Sequence, residues 1–181
     1  MENKKNSGLL YGVGGLLGIF LLTVFDQWTK YLAVLHLKGQ KSIELISGVF
    51  ELQYLENRGA AFGMMQNQQW FFILLTVAYL AAVVVIYFKI PRTKRFFLLH
   101  FLAVLLTSGA LGNFIDRVRL QYVVDFFYFS LIDFPIFNVA DIYVVASFFL
   151  LVFCTLFVYK DEEFAFLSFK KADANAQKKC E

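Results

Sequence analysis

Asp125 and Asp141 are the residues of this chain whose type and spacing most directly suggest chemistry. Asp125 stands inside the run Val-Val-Asp-Phe-Phe at 123–127. A lone carboxylate gains nothing from such neighbours and loses hydration. Asp141 opens the last long apolar stretch. Sixteen residues separate the two, ample for the chain to turn back and bring the carboxylates together. Carboxylates sharing a low-dielectric site cannot both ionise easily, so one pKa rises and the pair holds one proton. That arrangement suits aspartyl hydrolysis. One carboxylate takes a proton from water while the other, protonated, polarises a scissile carbonyl.

Other polar residues gather near them in the sequence pattern: Asp26, Lys30, Asn57, Arg58, Asn113, Asp116, Arg117 and Asn138. Each has a plainer reading as well. Asp26 and Lys30 have the i, i+4 spacing of an ordinary helical ion pair. Asn138 with Asp141 three residues on suits an N-cap and its N3 carboxylate. Asn113, Asp116 and Arg117 suit the end of a helix meeting lipid headgroups. Asp125 is the hardest to explain in such a way.

Other hydrolytic chemistries find little support. There is no H-E-x-x-H or G-x-S-x-G, and His36 and His100 fall on opposite sides of the expected membrane. A Ser/Lys pair using Lys30 with Ser42 or Ser47 is possible on paper, but nothing marks either serine. Cys154 lies inside an apolar run and Cys180 near the C-terminus, so no intrachain disulfide and no zinc spacing is expected.

The elements that must position these groups are membrane spans. The 181 residues are 59% hydrophobic and 17% charged, against about 45–50% and 25% for soluble domains. The apolar residues gather into runs at 8–25, 70–88, 96–115 and 142–159, with only His100 as a strongly polar ionisable group. Each is just long enough to cross a core of roughly 30 Å as a helix. Continuous runs rule out the alternation of a membrane barrel. The expected fold is a mainly α, four-transmembrane-helix bundle with a small extracytoplasmic β platform. It occupies residues 1–160, with a solvated, partly helical tail at 161–181. The first run lacks a cleavage site after it and reads as a retained span. Residues 1–7, 89–95 and 160–181 carry eleven Lys/Arg in 36 residues, against six in the 70 of the other side. The positive-inside rule puts both termini in the cytoplasm. A net charge of +3 without a basic groove argues for no nucleic-acid partner.

Outside the spans, 48–56 alternates apolar Phe50, Leu52 and Tyr54 with polar Glu51 and Gln53, which reads as a strand. It ends in a glycine-bearing turn at 57–63. A second β-prone segment covers 122–129. Both apolar faces are expected to rest on the bilayer and cover a cleft. Polar groups thus collect at one end of the spans, a shallow outward-facing site. A small transporter or channel subunit should instead show mid-depth polar groups and repeat symmetry, and neither is visible. A non-enzymatic scaffold would leave Asp125 and Asp141 individually replaceable.

Five segments together resemble the signature blocks of the bacterial lipoprotein signal peptidase (type II) family. They are Phe25-Asp-Gln-Trp-Thr-Lys30, Asn57-Arg-Gly-Ala-Ala-Phe-Gly63, Gly112-Asn-Phe-Ile-Asp-Arg-Val118, Val123-Val-Asp-Phe126 and Phe137-Asn-Val-Ala-Asp141. The resemblance covers about residues 8–160, in the family's order. It implies an intramembrane aspartyl endopeptidase of the bacterial cytoplasmic membrane. Its substrates would be diacylated prolipoproteins, cut before the lipidated cysteine. The family's dyad falls on Asp125 and Asp141. Its supporting residues fall on Asp26, Lys30, Asn57, Gly59, Asn113, Asp116, Arg117, Asn138 and Ala140. Asn57, Asn113 and Asn138 are then expected to bind substrate backbone. Arg117, held by Asp116, would orient a carbonyl or the dyad, and Asp26–Lys30 would tether the first outer loop. The mechanism needs no metal or organic cofactor. The partners implied are the prolipoproteins and membrane lipids, with the enzyme a monomer.

Overall fold

In lipid, every backbone N–H and C=O must find its partner inside the protein, and long apolar runs therefore fold as helices. The computed structural model describes residues 2–59 and 65–167. Its long helices are α1 (Glu2–Leu37), α2 (Gln69–Lys89), α3 (Phe97–Leu120) and α4 (Val139–Phe153). A single π-helical turn, Cys154–Val158, prolongs α4. Among the described residues, the stretches Tyr11–Leu37, Gln69–Lys89, Lys94–Leu120 and Val139–Val158 are long and apolar enough to cross a membrane. Each expected span thus has its helix.

Two helices overrun their expected ends. The first was to stop at Phe25 and the third at Ile115; α1 continues to Leu37 and α3 to Leu120. The charges that seemed to end these runs are buried and paired with one another rather than set among headgroups. Asp26, Lys30 and Asp116 are all nearly inaccessible. Because charge pairs with charge between α1 and α3, neither helix needs to break there.

The central post is α3. Its buried residues run from Leu99 to Asp116, whereas α2 buries only Gln69 and Phe72. Close approach to α3 depends on two glycines. A Cβ on Gly109 would collide with the Ala140 carbonyl of α4, and one on Gly112 with the Asp26 carboxylate of α1.

At one end of the bundle lies an antiparallel sheet, in the order β1 (Ile43–Ile46), β2 (Phe50–Asn57), β3 (Val123–Tyr128). β2 pairs Asn57 with Val123, Leu55 with Asp125 and Leu52 with Phe127, the register slipping between Leu52 and Leu55. The sheet sits on protein, which corrects the expectation that its apolar faces lie on the bilayer. Val124 and Phe126 are buried with Ala33 and Leu37 of α1 and Val139 of α4, and Leu52 and Tyr54 pack against that cluster. Phe50 stacks on Phe127 with ring centroids 5.9 Å apart. The overrunning end of α1 thus becomes the floor of the sheet.

The opposite end has its own cluster of Ile90, Leu99, Leu102, Cys154 and Tyr159, with Phe96, Phe164 and Phe166 packed against it. Arg95 pairs with Glu163 at 2.9 Å. The 3₁₀ segment Asp161–Leu167 is therefore held to the bundle rather than left as a solvated appendage. The remaining tail with Cys180, and residues 60–63 of the turn at 57–63, lie outside the described residues.

Candidate active site

Asp125 lies in β3 and Asp141 in the first turn of α4. β2 and the connection after β3 bring both to one cavity of about 620 Å³. Asn57, Gly59, Asn113 and Arg117 line it with them, as do Ile142 and Val145 of α4. Each of the four carboxylate oxygens accepts one N–H. Asn138 Nδ2 donates to Asp125 Oδ1 at 2.6 Å and Asn57 Nδ2 to Asp125 Oδ2 at 2.9 Å. Asn113 Nδ2 donates to Asp141 Oδ1 at 2.7 Å and the Asn138 backbone N–H to Asp141 Oδ2 at 3.1 Å. The three asparagines expected to grip substrate hold the two aspartates in this structure.

Asn138 serves twice. Its side-chain oxygen accepts from the Asp141 N–H at 3.0 Å, completing a capping box at the start of α4. Its amide nitrogen meanwhile reaches Asp125 and, at 3.0 Å, Asn113 Oδ1. The cap and the site are one structure. Asp125 is 1% exposed. Burial, and then the charge of Asp141, push its carboxyl up to about 7, against the opposing hydrogen bonds from Asn57 and Asn138.

Behind the pair lies a buried ionic network. Lys30 sits 3.0 Å from Asp26, 3.1 Å from Asp116 and 2.9 Å from Asn113 Oδ1. Each of its carboxylates pins the residue before one of the two cavity aspartates. Asp26 accepts from the Ala140 N–H at 2.9 Å, and Asp116 from the Val124 N–H at 3.1 Å. The Asp26–Lys30 pair, expected to tether an outer loop, instead locks α1 to the backbones that present both aspartates. Lys30 is thereby committed, and Ser47 donates to Glu44 at 2.7 Å on the exposed edge, so no Ser/Lys pair forms.

Asp116 does not hold Arg117, as its oxygens are taken by Lys30, Val124 and Gln27. Arg117 lies over the Phe72 ring of α2, 5.0 Å from the centroid, and its Nε has no hydrogen-bond partner among the described residues. It remains at the cavity wall. Gly59 donates its N–H to Asn57 Oδ1 at 3.0 Å, fixing the amide that faces Asp125. Gln27 escaped the sequence reading. Its Nε2 donates to Asp116 Oδ1 at 2.9 Å and to the Gly112 carbonyl at 3.1 Å. An amide next to Asp26 inside an apolar helix was the available signal.

The family model of signal peptidase (SPase) II matches residues 18–157. The chain belongs to the signal peptidase II family. The lipoprotein signal peptidase of Streptococcus thermophilus (strain CNRZ 1066) is 42% identical over 144 residues, covering 80% of this chain and 91% of that protein. That of Streptococcus pyogenes serotype M5 (strain Manfredo) is 39% identical over 149 residues, 82% of this chain and 95% of that protein. Two solved bacterial membrane enzymes share the fold, each with a TM-score of 0.68. One is 30% identical and covers 87% of this chain and 93% of its own; the other is 32% identical and covers 81% and 94%. This signal peptidase II member is therefore a membrane-embedded peptidase, and the cavity just described is its candidate active site.

Proposed function

We propose that this protein is an intramembrane aspartyl endopeptidase that cuts diacylglyceryl-modified prolipoproteins just before the lipidated cysteine, with Asp125 and Asp141 as its catalytic pair. The observation that carries the reading is the convergence of both carboxylates on one cavity, with a single N–H on each oxygen. We assign Asp141 as the base and Asp125 as the acid; burial and the neighbouring Asp141 push the Asp125 carboxyl up to about 7, which keeps one proton on the pair near neutrality.

The oxygen of a water bonds to the carbonyl carbon and its proton passes to Asp141. Asp125 gives its proton to the carbonyl oxygen, leaving a neutral tetrahedral diol. Collapse breaks the C–N bond. Asp141 then protonates the leaving cysteine nitrogen and Asp125 takes a proton back from a diol hydroxyl. Arg117, free of Asp116 and lining the cavity, orients the substrate carbonyl. No step calls on a metal or an organic cofactor.

The distribution of Lys and Arg supports both termini in the cytoplasm and the pair near the outer face of the bacterial cytoplasmic membrane. Residues 1–160 form the peptidase domain and 161–181 its cytoplasmic tail. Every residue of the site comes from one chain, which supports a working monomer. The signal peptide and acyl chains of the substrate lie in the lipid beside the cavity.

The test is a gel-shift assay with a diacylated prolipoprotein in lipid. The wild type cleaves before the lipidated cysteine. Asp125→Asn and Asp141→Asn insert and accumulate but lose at least about a thousandfold in rate, because Asn cannot shuttle the proton. Near-normal turnover by Asp141→Asn would reduce that residue to a helix cap.

A further inference from the structure

The half of the bundle remote from the aspartates holds a second cavity, of about 400 Å³, between α1, α2 and α3. Gly14, Gly15 and Gly18 form one wall, with Tyr87, His100 and Val104 opposite. His100 is 3% exposed, its ring 4.7 Å from that of Tyr11 and 4.8 Å from that of Tyr87. Among the described residues, neither ring nitrogen has a hydrogen-bond partner. A buried imidazole without a partner within a span is costly and marks a site. Tyr87 is already committed, its hydroxyl donating to the Tyr11 carbonyl at 2.7 Å.

Arg92 lies just beyond the Tyr11 end of the cavity. Its guanidinium lies against Gly8 of α1, about one turn before the cavity-lining Tyr11, where an added Cβ would be 3.0 Å from Nη1. It belongs to a turn, 89–95, with four Lys/Arg in seven residues. From that end inward, the polar order is a cation, then an imidazole in the first turn of α3, then an apolar trench walled by glycines. Phosphate, ester carbonyl and acyl chain follow one another in that same order in a glycerophospholipid.

We propose that this cavity holds one acyl chain of an anionic glycerophospholipid, with its phosphate on Arg92 and an ester carbonyl accepting from His100. A helix about 10–12 Å across does not fit the volume. The basic leading region of a signal peptide, or the same turn of a second copy, would bring positive charge against Arg92. The basic turn thus selects the anionic lipid.

The test titrates the delipidated full-length protein in detergent with phosphatidylglycerol or phosphatidylcholine of equal chain length, read by native mass spectrometry. One phosphatidylglycerol is retained, at least tenfold more tightly than phosphatidylcholine. Arg92→Gln erases the preference. Gly14→Leu, whose Cβ meets no neighbour within 4 Å, fills the trench and lowers retention of both lipids tenfold. His100→Phe weakens retention without changing the preference. Equal retention of the two lipids by the wild type would overturn the proposal, as would unaltered binding in Arg92→Gln and Gly14→Leu. A dimer that dissociates in Gly14→Leu would make the trench a contact between copies instead. The readout is lipid mass, so it stands or falls apart from peptidase activity.

Discussion

On the proposed mechanism the pair must hold one proton, and burial beside Asp141 pushes the Asp125 carboxyl up to about 7. kcat/KM is therefore expected to fall as pH rises through that value, which makes Asp125 the source of the alkaline limb. The Asn57 amide favours the ionised form, so Asn57→Ala moves the limb to higher pH while lowering the maximum. Profiles of both proteins with a lipidated precursor check this; a limb that stays put or moves down sinks the assignment of Asp125 as acid. At this scale Asp125 stood out because an apolar strand offers a carboxylate little to bind, whereas Asp141 read equally as the N3 carboxylate of a helix cap, and it is both a cap residue and a wall of the cavity. The link between Asp116 and Arg117 was misread. Adjacent residues on a helix point about 100° apart, so Asp116 faces α1 while Arg117 faces α2 and the cavity. The three asparagines do lie against the two aspartates, but a sequence does not say whether an amide faces substrate or a neighbouring carboxylate.

Between elements, Lys30 is the bolt. It joins Asp26 and Asp116, and those two hold the backbone N–H groups of Ala140 and Val124. Lys30→Met leaves two buried carboxylates unpaired and is expected to cost about 3–5 kcal/mol, seen as a large drop in melting temperature. Adding Asp26→Asn recovers part of it; a double variant no better than the single one would disprove the coupling. Gly109→Ala pushes the start of α4 off α3, at about 1–3 kcal/mol, and lowers kcat because Asp141 rides on that turn. A variant with normal stability and rate would show that α4 has room to spare. The i, i+4 spacing of Asp26 and Lys30 was legible, but not their burial, because the same spacing serves an exposed pair. For the same reason α1 was cut short at Asp26. β1 went unread because Ile43–Ile46 is only four residues long and pairs through a bulge with β2.

Across the whole molecule, the cavity opens along the apolar face of α4, past Ile142 and Val145, and its rim carries Ile132 and Phe134. Ile132 is 68% exposed. Four spans were legible from apolar runs alone. The placement of the sheet was not, since an apolar strand face reads alike whether it meets lipid or the end of a helix. Val124 and Phe126 are turned into protein, whereas the loop beside the cavity presents apolar surface, with Leu131, Ile132 and Phe134 exposed. On the proposed function, a lipidated substrate entering sideways would meet that loop first, and its acyl chains would hold the scissile bond at the depth of the aspartates. An unlipidated precursor keeps its signal peptide in the membrane but loses that fix on depth. Misplacement by an ångström can cost about a hundredfold in rate, so its kcat/KM is expected to fall at least that far. Ile132→Asp, which puts a charge where the acyl chains pass, lowers kcat/KM for the lipidated precursor and leaves the slow cleavage of the unlipidated one unchanged. Equal loss on both substrates would mean that the loop shapes the active site rather than guiding the lipid.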